Sequence, residues 1–211
     1  MRLTSILLSF LLLPFAALAQ PGGLQQGVHF HLIDPAQPGA EGGAVRVNEF
    51  FLYGCPHCYE LEPLIEAWAE RQPDFVEFAR IPAVFSRADT RIQAEAFYAL
   101  DLMGKLEELH PVIFAAIHEE GRKLRTEESV ERLLGEHGVD MDEFRKARDS
   151  FAVQTSVRRA AVLADRYGIR GVPALVVDGR YRTGPSDAGG YAQSLAVTDA
   201  LVQQVRAAKQ D

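Results

Sequence analysis

The stretch Val45-Arg46-Val47-Asn48-Glu49-Phe50-Phe51-Leu52-Tyr53-Gly54-Cys55-Pro56-His57-Cys58-Tyr59 decides the fold. Residues 45–53 carry apolar side chains at both parities, which predicts a strand covered on both faces. A helical pattern follows from Cys58 to Arg71, with Leu61, Leu64, Ile65 and Trp68 at i, i+3, i+4 and i+7. A strand, a tight turn and Cys-x-x-Cys at a helix start place Cys55 against the unpaired N–H groups of the helix N-terminus. Those groups and the helix dipole favour a thiolate over a thiol. Pro56 suits the first turn, where its missing N–H is not needed. Cys58 falls one turn on, within disulfide reach. It is expected to point inward, because Leu61, Leu64 and Ile65 continue that region. Cys55 is therefore read as the exposed sulfur and Cys58 as the resolving one. His57, between them, is positioned to stabilise the Cys55 sulfur through its N–H or its charge.

Outward from this stretch, Pro63 sits inside the helix and is expected to kink it. Phe75–Ile81 reads as a second strand, completing a βαβ unit. From 87 to 160 only helical patterns appear. Ala88–Met103 puts Ala94, Phe97, Tyr98 and Leu102 on one face, and His110–His118 follows. Thr126 caps a third helix with Val130, Leu133 and Leu134 inward. Asp140 with Glu143 resembles a capping box for a fourth, and Phe151–Tyr167 is stopped by Gly168. Strands return at Ala174–Val177. Asp178-Gly179 is a type I′ turn signal leading into Arg180–Thr183. A last helix, Tyr191–Lys209, turns Leu195, Leu201 and Val205 inward. Upstream, residues 20–43 are rich in Gly, Pro and Gln, with a short strand expected at Val28–Leu32. The layout is an α/β domain made of 20–86 plus 161–211, interrupted by an all-helical insertion at 87–160.

Arg2, the apolar run Leu3–Leu13 and Ala17-Leu18-Ala19 read as a signal peptide, residues 1–19, cleaved after Ala19. The run is too short for a membrane span. The formal net charge of −7 argues against nucleic acid as a partner. The chain holds two cysteines, and export puts them where a disulfide persists. A four-residue loop gains only about 2 kcal/mol of closure entropy, against about 5 for a hundred residues. The pair is thus expected to serve reactivity rather than stability. No cofactor and no metal are expected. A zinc module using Cys55, His57 and Cys58 would want a fourth ligand, and no second cluster is present. His29 and His31 share a face of the expected strand and read as surface histidines rather than a metal pair. His110, His118 and His137 read as helix-surface or helix-end residues, and the Glu and Arg runs at 119–136 as solvated helix faces.

Three pieces of this sequence resemble the DsbA family, the periplasmic thiol oxidants of Gram-negative bacteria. They are Glu49 to Tyr59, Arg170-Gly171-Val172-Pro173-Ala174, and the helical block between them. Pro63 also matches the kink proline of thioredoxins, which carry Gly-Pro between their cysteines and lack the insertion. Gly54 departs from members that have an aromatic residue there. The resemblance implies a thioredoxin-like fold with an inserted all-helical domain, and a strongly depressed Cys55 pKa, for which the family is known. It implies a Cys55–Cys58 disulfide passed to newly exported, still folding proteins with free thiols, through a mixed disulfide at Cys55. It also implies a periplasmic monomer reoxidised by a DsbB-like quinone-linked membrane oxidase. Glu49 matches a buried acid beneath the site, suited to relaying protons to Cys58, and Arg80 a basic position near it. Pro173 matches the cis-proline that faces Cys-x-x-Cys, leaving the Val172 backbone free to pair with an extended client. With Pro56, these two form the expected substrate-binding set. A reductase or isomerase arm of the same fold is the alternative. Isomerases usually add a dimerisation domain, and none is visible here.

Overall fold

Residues 23–210 are described by the computed structural model; the leader and its cleavage site lie outside them. In chain order the elements are β1 (His31–Leu32), β2 (Val45–Phe51), α1 (Pro56–Ala69), β3 (Val76–Pro82), α2 (Ala88–Leu102), α3 (Leu106–His118) and α4 (Glu127–Glu136). They continue with α5 (Met141–Arg148), α6 (Phe151–Arg166), β4 (Ala174–Val177), β5 (Tyr181–Thr183), α7 (Pro185–Ala188) and α8 (Tyr191–Ala208). The five strands form one sheet in the order β1-β5-β4-β2-β3. β2 pairs parallel with β3 and antiparallel with β4, so the strand leading to Cys55 is flanked on both sides.

Both faces of β2 are covered, as its two-sided apolar pattern requires. Val45 and Val47 pack with Leu61, Ile65 and Trp68 of α1 and with Leu201 and Val205 of α8. Phe50, on the opposite parity, packs with Ala160, Ala164 and Tyr167 around α6. Phe51 and Tyr53 leave the end of the strand and enter the core of the helical block, against Phe97, Leu109 and Phe114. Each such buried side chain contributes about 1.5–3 kcal/mol. The chain between β3 and β4 is helical throughout its regular elements, and α6 runs through residue 160 without a break.

Local signals set most of the ends. Thr126 and Ser129 form a reciprocal capping box at α4, and Asp140 accepts from the N–H groups of Asp142 and Glu143 at α5. After α6, Ile169 N–H bonds Ala164 and Gly168 N–H bonds Asp165, with Gly168 at φ +64, the double closure of a Schellman motif. Asp178 and Gly179 have φ of 52 and 66, as a type I′ turn needs. Asp178 is also buried and receives Lys209 Nζ and Ala40 N–H, both at 2.9 Å.

Three expectations are corrected, and one short element is added. The strand at 28–32 shrinks to His31–Leu32, because Gly27 at φ +81 starts a turn closed by its N–H on Phe30. Leu64 and Leu102 are exposed: α1 is buried along Leu61, Ile65 and Trp68, and α2 along Ala94, Phe97 and Leu100. α3 begins at Leu106, a turn before His110, and contains Pro111. The short α7 carries no pattern that a four-residue helix could display.

Candidate active site

Cys55 is the N-cap residue of α1, extended at φ −94, with Pro56 in the first turn behind it. Its carbonyl accepts from the N–H groups of Cys58 and Tyr59, both at 3.1 Å, which starts the helix. Both cysteines are thiols in this structure; Cys55 is partly exposed and Cys58 fully buried. A hydrogen bond from the Cys58 side chain, with the backbone N–H groups of Cys58 and His57 and the His57 charge, lowers the Cys55 pKa to about 6, although burial opposes this. For Cys58 burial dominates, and the hydrogen bond and charge of Cys55 add to it, so its pKa is raised far above that of a free thiol.

This asymmetry predicts selective labelling. Iodoacetamide should modify Cys55 with a midpoint near pH 6, well below the value of about 8.5 for a free thiol. Cys58 should stay unmodified over the whole range. Peptide mapping after labelling at pH 6 checks this, and equal modification of the two sulfurs refutes it.

The Cys55 sulfur lies 3.5 Å from the Val172 carbonyl oxygen, and the Val172–Pro173 peptide is cis. The loop that carries them is backed by Gly184, where an added Cβ would stand 2.9 Å from the Pro173 carbonyl oxygen. Only glycine allows that approach. At Gly54 a Cβ would meet nothing within 4 Å, so the missing aromatic side chain leaves the surface beside Cys55 bare.

His57 adjoins Cys55 through its backbone, but its imidazole faces elsewhere. Nδ1 is 2.8 Å from the Tyr191 hydroxyl and 3.5 Å from the Glu60 carboxylate, and Tyr191 donates to Glu60. Neither partner was singled out from the sequence. Glu60 stands three residues after His57, on the same helix face, so that pairing was legible. Tyr191 begins α8 and could not be placed.

Beneath the sulfurs lies a buried polar cluster. Glu49 is fully buried and neither carboxylate oxygen has a hydrogen-bond partner. Burial, helped by the charge of Glu62, raises its pKa to about 8, against the pull of Arg80, whose Nε is 3.6 Å away. Arg80 donates to Glu62 at 2.7 Å and also to Glu66. Glu62 in turn stands 3.4 Å from His110 Nε2, and His110 Nδ1 is 2.7 Å from the Tyr53 hydroxyl. His110 is thus a core residue, not a surface one. The early start of α3 turns it against the rings of Phe51, Tyr53, Phe97 and Phe114. His118 bonds the Tyr53 carbonyl at 2.7 Å and stacks on Tyr59. His29 and His31 find separate partners: the Gln25 N–H, and Asp187 on α7. Among the described residues no group of three or more potential metal ligands converges, and no helix is long and apolar enough to cross a membrane.

Comparison with known proteins gives a consistent set of relatives. The family model of the DSBA-like thioredoxin domain matches residues 46–196. The thiol:disulfide interchange protein DsbA of Azotobacter vinelandii is 41% identical over 189 residues, covering 90% of this chain and 88% of the relative. That of Burkholderia cepacia is 41% identical over 205 residues, covering 97% and 96%. The crystal structure of Pseudomonas aeruginosa DsbA superposes with a TM-score of 0.83 at 37% identity, covering 88% of this chain and 96% of that one.

Proposed function

Since the chain belongs to the DsbA family of thiol:disulfide oxidoreductases, we propose that Cys55 and Cys58 are its redox pair and that exported proteins with free thiols are its clients. The observation that carries this is the opposed protonation of the two sulfurs. A client thiolate attacks Sγ of Cys55 in the oxidised protein. The Cys55–Cys58 bond breaks, a mixed disulfide forms at Cys55, and Cys58 leaves as a thiolate. That buried thiolate takes a proton at once, and Glu49, protonated near neutrality, is the acid placed to give it. A second client thiolate attacks the client sulfur of the mixed disulfide. Cys55 then leaves as a thiolate, and its low pKa makes it a good leaving group. The client loses two electrons, and the protein gains them as a Cys55 thiolate and a Cys58 thiol.

The client chain lies extended along the Val172 backbone. Beside it a cleft of about 580 Å³, bordered by His57, Val172, Pro173 and Tyr191, accommodates flanking residues. Pro56 completes the surface at the helix start. The division into a thioredoxin-like domain (20–86 with 161–211) and a helical insertion (87–160) puts the sulfurs at the junction of the two. The protein works in the periplasm as a monomer after cleavage behind Ala19, and a DsbB-like quinone-linked oxidase restores the disulfide. No cofactor or metal takes part.

The test uses reduced, unfolded client protein and stoichiometric oxidised enzyme. Cys55→Ser should give no mixed disulfide and no transfer. Cys58→Ala, charged at Cys55 as a glutathione mixed disulfide, should hold a single-cysteine client covalently, because neither Cys58 nor a second client thiolate is there to release it. Equilibration of the wild-type disulfide with glutathione separates oxidant from reductase. A pair that glutathione cannot readily reduce is a reductase, and overturns this reading.

A further inference from the structure

Behind the sheet, on the side away from α1 and α8, a cleft of about 930 Å³ opens between β2, β3, α2 and α6. Its floor includes Asn48 of β2 and its register partner Ala79 of β3. Ile81, Phe97 and Leu163 give it an apolar wall. Asn48 and Tyr167 are each more than nine-tenths buried, and both border the cleft. Among the described residues, neither the Asn48 amide nor the Tyr167 hydroxyl hydrogen-bonds any protein group, and the partly buried Tyr98 hydroxyl on the same lining has no partner either. Among the described residues the fully enclosed polar atoms without a partner belong to Glu49, Glu62, Arg80 and His110, so these three groups are open to solvent and give the cleft polar groups that a ligand can meet.

The charge around it has one sign. Arg46, Arg80, Arg158, Arg159 and Arg166 border the cleft, with Asp101 as the only carboxylate on the lining, in a chain of net charge −7. Arg80 is engaged by Glu49, Glu62 and Glu66, and Arg46 by Glu77. Arg158, Arg159 and Arg166 have no carboxylate within 4 Å among the described residues. Burial and Asp178 push the Tyr167 hydroxyl up, and the charges of Arg46, Arg159 and Arg166 act against them. Apart from Arg80, none of these groups belongs to the redox site.

We propose that this cleft binds a free, single-chain amphipathic anion, with a phosphate or carboxylate head on Arg159, Arg166, Tyr167 and Asn48 and an apolar tail along Ile81, Phe97 and Leu163. Guanidinium groups and neutral donors match anionic oxygens. The volume and the mixture of an apolar wall with a few polar groups are those of a small-molecule pocket. The exposed Val162 at the rim extends the apolar path outward.

The probe is dodecyl phosphate below its micellar concentration, titrated calorimetrically into the full protein, with uncharged dodecyl maltoside beside it. One saturable equivalent of dodecyl phosphate is expected, with no matching heat from the maltoside. Arg159→Glu with Arg166→Glu should weaken binding by at least about tenfold and leave client oxidation unchanged. Tyr98→Phe, which removes only a hydroxyl, should weaken it less. Arg132→Glu, an exposed charge reversal outside the cleft, should do nothing. Equal binding of both amphiphiles overturns the proposal, as does undiminished binding by the double variant. So does co-sedimentation with phosphatidylglycerol vesicles without binding of the monomeric probe, because the arginines would then serve a membrane surface.

Discussion

Glu49→Gln should stabilise the fold at neutral and alkaline pH, although it alters a fully buried residue on a central strand. The carboxyl titrates near 4.3 in an unfolded chain but near 8 here, because burial and Glu62 disfavour its charge. A raised acid pKa leaves stability intact below the unfolded value, and erodes it as pH climbs toward the folded value. Each unit of that interval is worth about 1.4 kcal/mol. Glutamine cannot ionise and escapes the loss. Its amide also lacks partners, which returns about 1 kcal/mol. A net gain of up to about 3–4 kcal/mol at pH 8 is expected, shrinking to nothing or reversing near pH 4. Denaturant melts of the reduced wild type and variant between pH 4 and 8 give the answer. A variant less stable than wild type at pH 8, or a difference indifferent to pH, shows that Glu49 carries no such penalty. The same change should slow the step in which Cys58 takes up a proton, without moving the Cys55 labelling midpoint far.

The balance between the two redox forms should also invert with pH. The disulfide gains about 2 kcal/mol by closing its four-residue loop. The reduced form gains through the Cys55 thiolate, whose pKa falls from about 8.5 unfolded to about 6 folded. A depressed acid pKa gives stability that is complete above the unfolded value and is lost as pH falls through the folded one. The thiolate contribution is thus about 0.4 kcal/mol at pH 6, about 1.4 at pH 7 and about 3 at pH 8.5, all upper values because solvent reaches this half-exposed sulfur. The oxidised form should be the more stable at pH 6, and the reduced form should overtake it between about pH 7 and 8.5. A deeper Cys55 pKa, of the kind the family is known for, shifts the crossover to lower pH. Paired melts of both forms across this range measure it. A gap that ignores pH means that folding does not hold Cys55 as a thiolate, and the oxidant role then fails with it.

The local features of the site were legible in the chain. A helix start is announced by its own residues: Pro56 behind Cys55, then Leu61, Ile65 and Trp68 at buried spacings. The caps at Thr126 and Asp140, the stop at Gly168 and the turn at Asp178-Gly179 likewise depend on residues within a few positions. Leu64 and Leu102 were misread because a helical stripe fixes a face only to within about a residue, while the neighbouring element decides where that face ends.

His110 marks the limit of such reading. Its burial depends on where α3 begins and on how that helix meets Tyr53, which is 57 residues away. The direction of the His57 imidazole depends on Tyr191, 134 residues on. The sequence by itself therefore determined the redox motif, the strand and helix that hold it, and the order of elements around it, because each follows from short-range capping and periodicity. Only the tertiary structure decided the polar cluster linking Glu49, Arg80, Glu62 and His110, the partners of His57 and the arginine-rimmed cleft. Those assemble from segments far apart in the chain, and burial and charge have no meaning for them until the segments pack.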